Sequence, residues 1–216
     1  MKDCLIIFAR EPKAGKVKTR MQGHLSLDMC VKLYKAFLKD ALELARAIKC
    51  SDKVLAYESS APEPGYLKTI AWGFLFHKQE GKNLGEKMYH AFRFAKRNKC
   101  DKTIIIGSDS PNLPAEYIKD AYRRLGKNDI ILGPAQDGGY YLVGLKNPCK
   151  GIFKGIKWSS KTVLEDTLKN ARNMSKKVWI LKKWYDVDDP IGLVRLKSDL
   201  KKEKKAAPWT RRLLKI

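Results

Sequence analysis

The stretch Thr103-Ile104-Ile105-Ile106-Gly107-Ser108-Asp109-Ser110-Pro111 decides how the chain is read. It opens as a run of β-branched residues with no polar alternation, the pattern of a strand covered on both faces within a parallel sheet. Gly107 and Pro111 stop the run. One carboxylate, Asp109, falls just past the strand's carboxyl end, where open α/β sheets hold their ligands. There it can hold a metal ion beside a phosphate, or cap a helix that follows Pro111. The stretch alone leaves both readings open.

Toward the amino end, Asp3-Cys4-Leu5-Ile6-Ile7-Phe8-Ala9 reads as a first strand. Arg10-Glu11-Pro12-Lys13-Ala14-Gly15-Lys16-Val17-Lys18-Thr19-Arg20 follows as a Pro/Gly loop carrying Lys13, Lys16, Lys18 and Arg20. Clustered positive charge on a flexible backbone after a first strand suits a di- or triphosphate. An exposed basic turn would look the same. The loop has neither the GxxxxGK[ST] nor the GxGxxG spacing.

Toward the carboxyl end, Pro114 to Leu125 predicts a helix and Asp129 to Pro134 a strand. Asp137-Gly138-Gly139 then reads as a hairpin turn, or as glycines that open room beside Asp137 for a ligand's hydroxyls or leaving group. Val178 to Leu181 is a further strand. Past it, Asp186, Asp188 and Asp189 place three carboxylates within four residues, a repulsive arrangement unless a cation or solvent relieves it. Mg²⁺ suits two carboxylates with phosphate oxygens. Asp188 or Asp189 can also cap the helix running to Leu200, and the two readings are compatible.

Between these landmarks, Ser26 caps a long helix whose Leu27, Val31, Tyr34, Leu38, Ala41, Ala45 and Ile48 face the sheet as core. Strands are expected at Lys53 to Tyr57 and Gly73 to His77, with a short helix from Tyr66 to Ala71. Gln79 to Met88 leads into a helix through two glycines and Asn83, either as a backbone approach to a planar base or as an ordinary helix start. A later helix spans about Lys161 to Asn173, with Ser159 or Ser160 as cap. His24, His77 and His90 are isolated and read as structural or surface residues.

Composition sets the class. The 216 residues, 44% of them hydrophobic, suffice for one large α/β domain over residues 1–200, followed by a basic tail, 201–216. The tail reads as a frayed helical end, with a peripheral contact to an anionic membrane as the lesser reading. Five widely spaced cysteines without a CxxC pair read as reduced thiols of a cytoplasmic protein. Neither a membrane-spanning run nor a signal-peptide pattern is found. The net charge of +22 implies a polyanionic partner. Basic and aromatic residues do not interleave in a recognisable nucleic-acid motif, so nucleic acid is not expected.

Taken in order, these pieces resemble the nucleotide-diphospho-sugar transferase superfamily and, more closely, the DUF2064 family of glycosyltransferase-like proteins. The resemblance rests on Phe8-Ala9-Arg10 with Pro12, Gly15 to Arg20, Asn83 to Met88, Gly107 to Pro111, Gly133 to Leu142, Trp158-Ser159 and Asp186 to Pro190. Met21 stands where that family usually has Leu, Ser110 where Cys is common, and Asp189 where Thr is common. The resemblance implies a single-domain, three-layer α/β/α Rossmann-like GT-A fold with a mostly parallel mixed sheet. It implies phosphate and nucleotide binding by Arg10, Lys13, Gly15, Lys18, Arg20, Asn83 and Gly85. Asp109, Asp188 and Asp186 would hold Mg²⁺ or Mn²⁺, although no true DxD adjoins Asp109. Asp137, Gly138, Gly139, Trp158 and Ser159 would face substrate, with Asp109 and Asp137 catalytic.

The expected activity is metal-dependent sugar transfer from a nucleotide-diphospho-sugar to a small-molecule or lipid-linked acceptor. The alternative within the superfamily is a nucleotidyltransferase that takes a nucleoside triphosphate and releases pyrophosphate, like the molybdenum-cofactor and phospholactate guanylyltransferases. A third reading, of another class, is a non-catalytic basic module for nucleic acid or membrane.

Overall fold

The computed structural model describes residues 2–61 and 63–216. Among these residues seven strands form one sheet: β1 (Asp3–Arg10), β2 (Asp52–Glu58), β3 (Leu75–Lys78), β4 (Lys102–Ile106), β5 (Ile130–Pro134), β6 (Tyr140–Leu145) and β7 (Val178–Ile180). Their spatial order is β3-β2-β1-β4-β6-β5-β7. All neighbours run parallel except β6, which lies antiparallel to β4 and β5.

The unbroken apolar runs of β1 and β4 follow from burial on both sheet faces. Ile104 and Ile106 point into one core layer with Leu5 and Ile7. Ile105 points into the other with Cys4 and Ile6. The first layer is closed by α1 (Leu27–Ala47), α2 (Tyr66–Ile70) and α4 (Ala115–Leu125). The second is closed by α3 (Leu84–Arg97) and α5 (Val163–Asn173). This is the expected three-layer α/β/α architecture.

Local chemistry sets the helix starts. Ser26 accepts from Met29 N at 3.2 Å, Asn83 from Glu86 N at 3.0 Å and Asp189 from Gly192 N at 2.7 Å, each satisfying an amide left over at a helix start. Asp189 is therefore the cap of the helix after β7, and Asp188 is left for other work. Ser159 and Ser160 do not cap α5. Ser159 lies in the left-handed region with φ 67°, Ser160 Oγ accepts from Thr162 N, and the helix begins at Val163.

The expected frayed tail does not hold. α6 (Pro190–Lys202) packs Leu193, Leu196 and Leu200 against Cys30, Leu33 and Phe37 of α1. α7 (Pro208–Leu214) starts directly over Asp40, in the middle of α1. The Asp40 carboxylate accepts from Trp209 N at 2.9 Å, Thr210 N at 3.0 Å and Thr210 Oγ1 at 2.5 Å, so an acid at the positive end of a helix pins the chain terminus. Burial nonetheless pushes the Asp40 carboxyl up to about 6. Among the described residues no helix is long and apolar enough to cross a membrane.

Candidate active site

Strand order reverses between β1 and β4, which lie side by side while their successors run to opposite sides. A cleft of about 580 Å³ opens there, outside the carboxyl ends of the strands. The loop after β1 supplies Lys16, Lys18 and Arg20; the turn after β4 supplies Gly107, Ser108 and Asp109; the segment after β7 supplies Asp188. Asn83 and Leu84 at the start of α3, with Trp158 and Ser159, also line the cleft.

Lys18 is the hub. It is a non-glycine residue in the left-handed region (φ 49°, ψ 41°), a conformation disfavoured by about 1 kcal/mol or more that persists only where the surroundings enforce it. The bend turns its side chain inward, where only 2% of it remains exposed. Its ammonium bonds Asp109 Oδ1 at 2.5 Å, Val187 O at 2.8 Å and Asp188 Oδ1 at 3.1 Å, which uses all three donors. Burial works against its charge, but Asp109 and Asp188 outweigh burial and raise its pKa. The backbone joins the same loops, with Val187 N donating to Asp109 O at 2.8 Å.

The two carboxylates are 37% and 42% exposed, and each offers Lys18 one oxygen. The other oxygen of each takes no hydrogen bond among the described residues. No group of three Asp, Glu, His or Cys side chains that could hold a metal is found among those residues. These two half-exposed carboxylates are the hard oxygen donors in the cleft that could hold Mg²⁺ or Mn²⁺.

Asp186, expected as a third metal ligand, stands apart from the cleft lining. Its Oδ1 accepts from Ser110 Oγ at 2.6 Å, and burial together with Asp109, Asp188 and Asp137 pushes its carboxyl up to about 7. Lys13 also lies off the lining, donating to Ser60 Oγ at 2.7 Å, and so does Gly15, whose φ of 73° serves the loop's turn.

Asp137, Gly138 and Gly139 form the β5–β6 turn and do not line the cleft. Asp137 accepts from Gly139 N at 3.0 Å. Gly138, at φ 92°, leaves no opening for a ligand: a Cβ there would collide with the Lys161 backbone, and Gly138 O accepts from Leu164 N at 2.9 Å. The glycine admits the start of α5. Gly85 likewise brings α3 against Trp158 and Phe153, and so positions the cleft wall.

Tyr34, Glu58, Gln79 and Lys87 are among the lining residues that sequence reasoning does not assign to the site. Tyr34, read as core, sends its hydroxyl from α1 to the switch point, where it accepts from Arg10 N at 2.8 Å and bonds Ser108 Oγ at 3.1 Å. Burial pushes that phenol up to about 12. Glu58, at the end of β2, pairs with Lys87 Nζ at 2.7 Å and Arg10 Nε at 2.8 Å. Gln79, just past β3, donates to Ala56 O at 2.8 Å and Ala9 O at 3.3 Å. Glu58, the last residue of β2, and Gln79, the first after β3, could have been found by reading the strand ends. Lys87 looks like any exposed helix residue.

A structure from Desulfovibrio desulfuricans G20, named as a candidate nucleotide-diphospho-sugar transferase, is 32% identical and superposes with a TM-score of 0.92 over 100% of this chain and 95% of its own. The 2-phospho-L-lactate guanylyltransferase of Methanobrevibacter smithii is 27% identical over 134 residues, 62% of this chain, and the match spans 58% of that protein's length. Rv0371c of Mycobacterium tuberculosis H37Rv, solved with manganese, shares the fold at 12% identity, with a TM-score of 0.53 over 91% of this chain and 98% of its own. Residues 41–160, from within α1 to just before α5, match the family described as an uncharacterized protein conserved in bacteria, DUF2064. With more than half its length matched and a full-length likeness at 32% identity, the chain belongs to the DUF2064 family.

Proposed function

We propose that this protein is a transferase that binds a nucleotide through its phosphates in the β1–β4 cleft, with a nucleotide-diphospho-sugar as donor. The observation that carries this is the Lys18 ammonium bonded to both Asp109 and Asp188, with Lys16 and Arg20 lining the same cleft. The lining holds five cations (Arg10, Lys16, Lys18, Arg20 and Lys87) against three carboxylates (Glu58, Asp109 and Asp188), a formal excess of two positive charges. A nucleoside diphosphate gains a negative charge as it leaves a sugar. A fixed positive lining therefore binds the departing group more strongly than the intact donor, which is the condition for lowering the barrier.

Lys16 and Arg20 would hold the phosphates, and Lys18 would keep the two carboxylates together. Asn83 and Leu84 would border the base, with Trp158 and Ser159 on the sugar side. Asp109 and Asp188 would hold Mg²⁺ or Mn²⁺, which would supply charge neutralisation to the leaving diphosphate. Asp137 lies at the exposed β5–β6 turn, off the cleft lining, and would act as base for an acceptor hydroxyl only if the transfer inverts and the acceptor reaches that turn.

A second reading is nucleotidyl transfer from a nucleoside triphosphate, favoured by the likeness to the phospholactate guanylyltransferase. Thermal-shift titration with sugar nucleotides and nucleoside triphosphates, each with and without Mg²⁺ or Mn²⁺, separates the two. Ligand at a hundredfold excess over its dissociation constant stabilises the fold by about 2.7 kcal/mol. A metal-dependent shift with a sugar nucleotide supports sugar transfer, whereas a shift confined to a triphosphate, with pyrophosphate release on adding acceptor, replaces it by nucleotidyl transfer. No shift with either class overturns both.

A further inference from the structure

The inner face of α6 is fully used by Leu193, Leu196 and Leu200, which are buried against α1. Its outer face nevertheless carries Ile191, 81% exposed, and Val194, 68% exposed, one turn apart. Neither is needed to close the core. The following turns and the link to α7 present Arg195, Lys197, Lys201, Lys202, Lys204 and Lys205, all exposed. Only two acids share this stretch. Asp199 accepts from the Tyr185 hydroxyl at 2.6 Å and pairs with Arg195 at 3.9 Å, so the five lysines stand against Glu203 alone.

From this pairing of surplus apolar side chains with unbalanced positive charge, we propose that the outer face of α6 docks on an anionic lipid bilayer. The apolar pair enters the boundary between headgroups and acyl chains, and the lysines lie at the headgroup phosphates. The chemistry favours lipid over nucleic acid, because exposed Ile and Val have no partner on a phosphate-sugar backbone. α6 starts two residues after Asp188, so docking brings the cleft mouth to the membrane surface. A lipid-held acceptor would then meet the donor there; that consequence rests on the transferase reading, whereas the docking does not.

Co-sedimentation of the full chain with vesicles, in the absence of nucleotide, tests the proposal. Vesicles of phosphatidylcholine alone are compared with vesicles containing about one third phosphatidylglycerol. The expected result is binding to the anionic vesicles only, weakened by salt. Binding should fall on the order of tenfold for the pair Ile191→Asp and Val194→Asp and again for Lys201→Glu with Lys202→Glu. The substituted positions are on the exposed face, and unchanged thermal melting confirms folding; Ile191→Ser with Val194→Ser replaces the aspartates if melting drops. No binding to anionic vesicles overturns the proposal. Binding that ignores the apolar pair, with equal affinity for a DNA duplex, overturns it in favour of a non-specific polyanion surface. Thermal shift by nucleotides in lipid-free solution reports on the cleft separately, so the two proposals fail independently.

Discussion

Lys18 Nζ lies 2.5 Å from Asp109 Oδ1, although 91 residues separate them in the chain. This pair joins the loop after β1 to the turn after β4, and through Asp188 to the segment before α6. Removing the ammonium leaves two neighbouring carboxylates with no common counter-charge. Lys18→Met should therefore lower activity by on the order of 10²- to 10³-fold, as for loss of one preorganised charged group. Because both acids are partly exposed, stability should fall by only about 1–3 kcal/mol, less than for a wholly buried pair. Urea unfolding read beside nucleotide titration checks this, and full nucleotide affinity in the variant would remove Lys18 from the hub role.

Asp109→Ala should remain folded, because its carboxylate is 37% exposed and is not a helix cap. It should lose the metal-dependent part of nucleotide binding. An identical metal response in variant and parent would exclude Asp109 from the proposed metal pair.

The hydroxyl of Tyr34 satisfies the backbone amide of Arg10 at the very end of β1. Tyr34→Phe leaves that amide without its acceptor, at a cost of about 1–3 kcal/mol. Since Ser108 Oγ loses the same partner, nucleotide affinity should fall along with stability. Denaturant midpoints and calorimetric titration measure the two effects, and a neutral substitution on both counts would show that water replaces the phenol.

Gly85→Ala inserts a methyl group against Trp158 and Phe153. Overpacking there should cost about 1–3 kcal/mol and displace the Trp158 ring. A change in tryptophan fluorescence accompanied by weaker nucleotide binding is expected, and an unaltered spectrum would mean that the wall yields elsewhere.

Asp40 makes stability depend on pH with a definite sign. Its folded value of about 6 stands above the ordinary 3.8. Between about pH 4 and pH 6 the folded chain keeps a proton that the unfolded chain has lost, so this group's contribution falls as pH rises through that window. The full change is about 3 kcal/mol, complete below pH 4 and gone above pH 6. The stability difference between the parent and Asp40→Asn, followed by urea unfolding from pH 4 to pH 7, should show this slope. A pH-independent difference would mean that Asp40 ionises as an ordinary carboxylate.

Most of the strands, the Ser26 cap, the helix start at Asn83 and the basic loop after β1 were legible in the sequence because each depends on near neighbours in the chain. The apolar run of Thr103 to Ile106 ends at Gly107, the Ser26 and Asn83 caps lie three residues before the amides they bind, and Lys16 to Arg20 lie in the loop that follows the first strand. The sequence also determined that Asp109 falls beyond a strand end, which is a matter of register alone.

Tertiary structure decided what each polar group faces. Asp188 and Asp189 are adjacent and chemically identical, yet one bonds Lys18 and the other caps α6. Tyr34 shares the helical spacing of core residues, and only the position of α1 over the switch point sends its hydroxyl to Arg10 and Ser108. The Asp137 turn looked open to ligand, but its glycine is filled by the backbone at Lys161. Residues 201–216 looked free because their anchor, Asp40, lies about 170 positions away in a helix that reads as ordinary core. The physical reason is the same in each case: chain-local preferences depend on spacing along the backbone, whereas charge pairing and burial depend on distances that exist only once the sheet has brought its strand ends together.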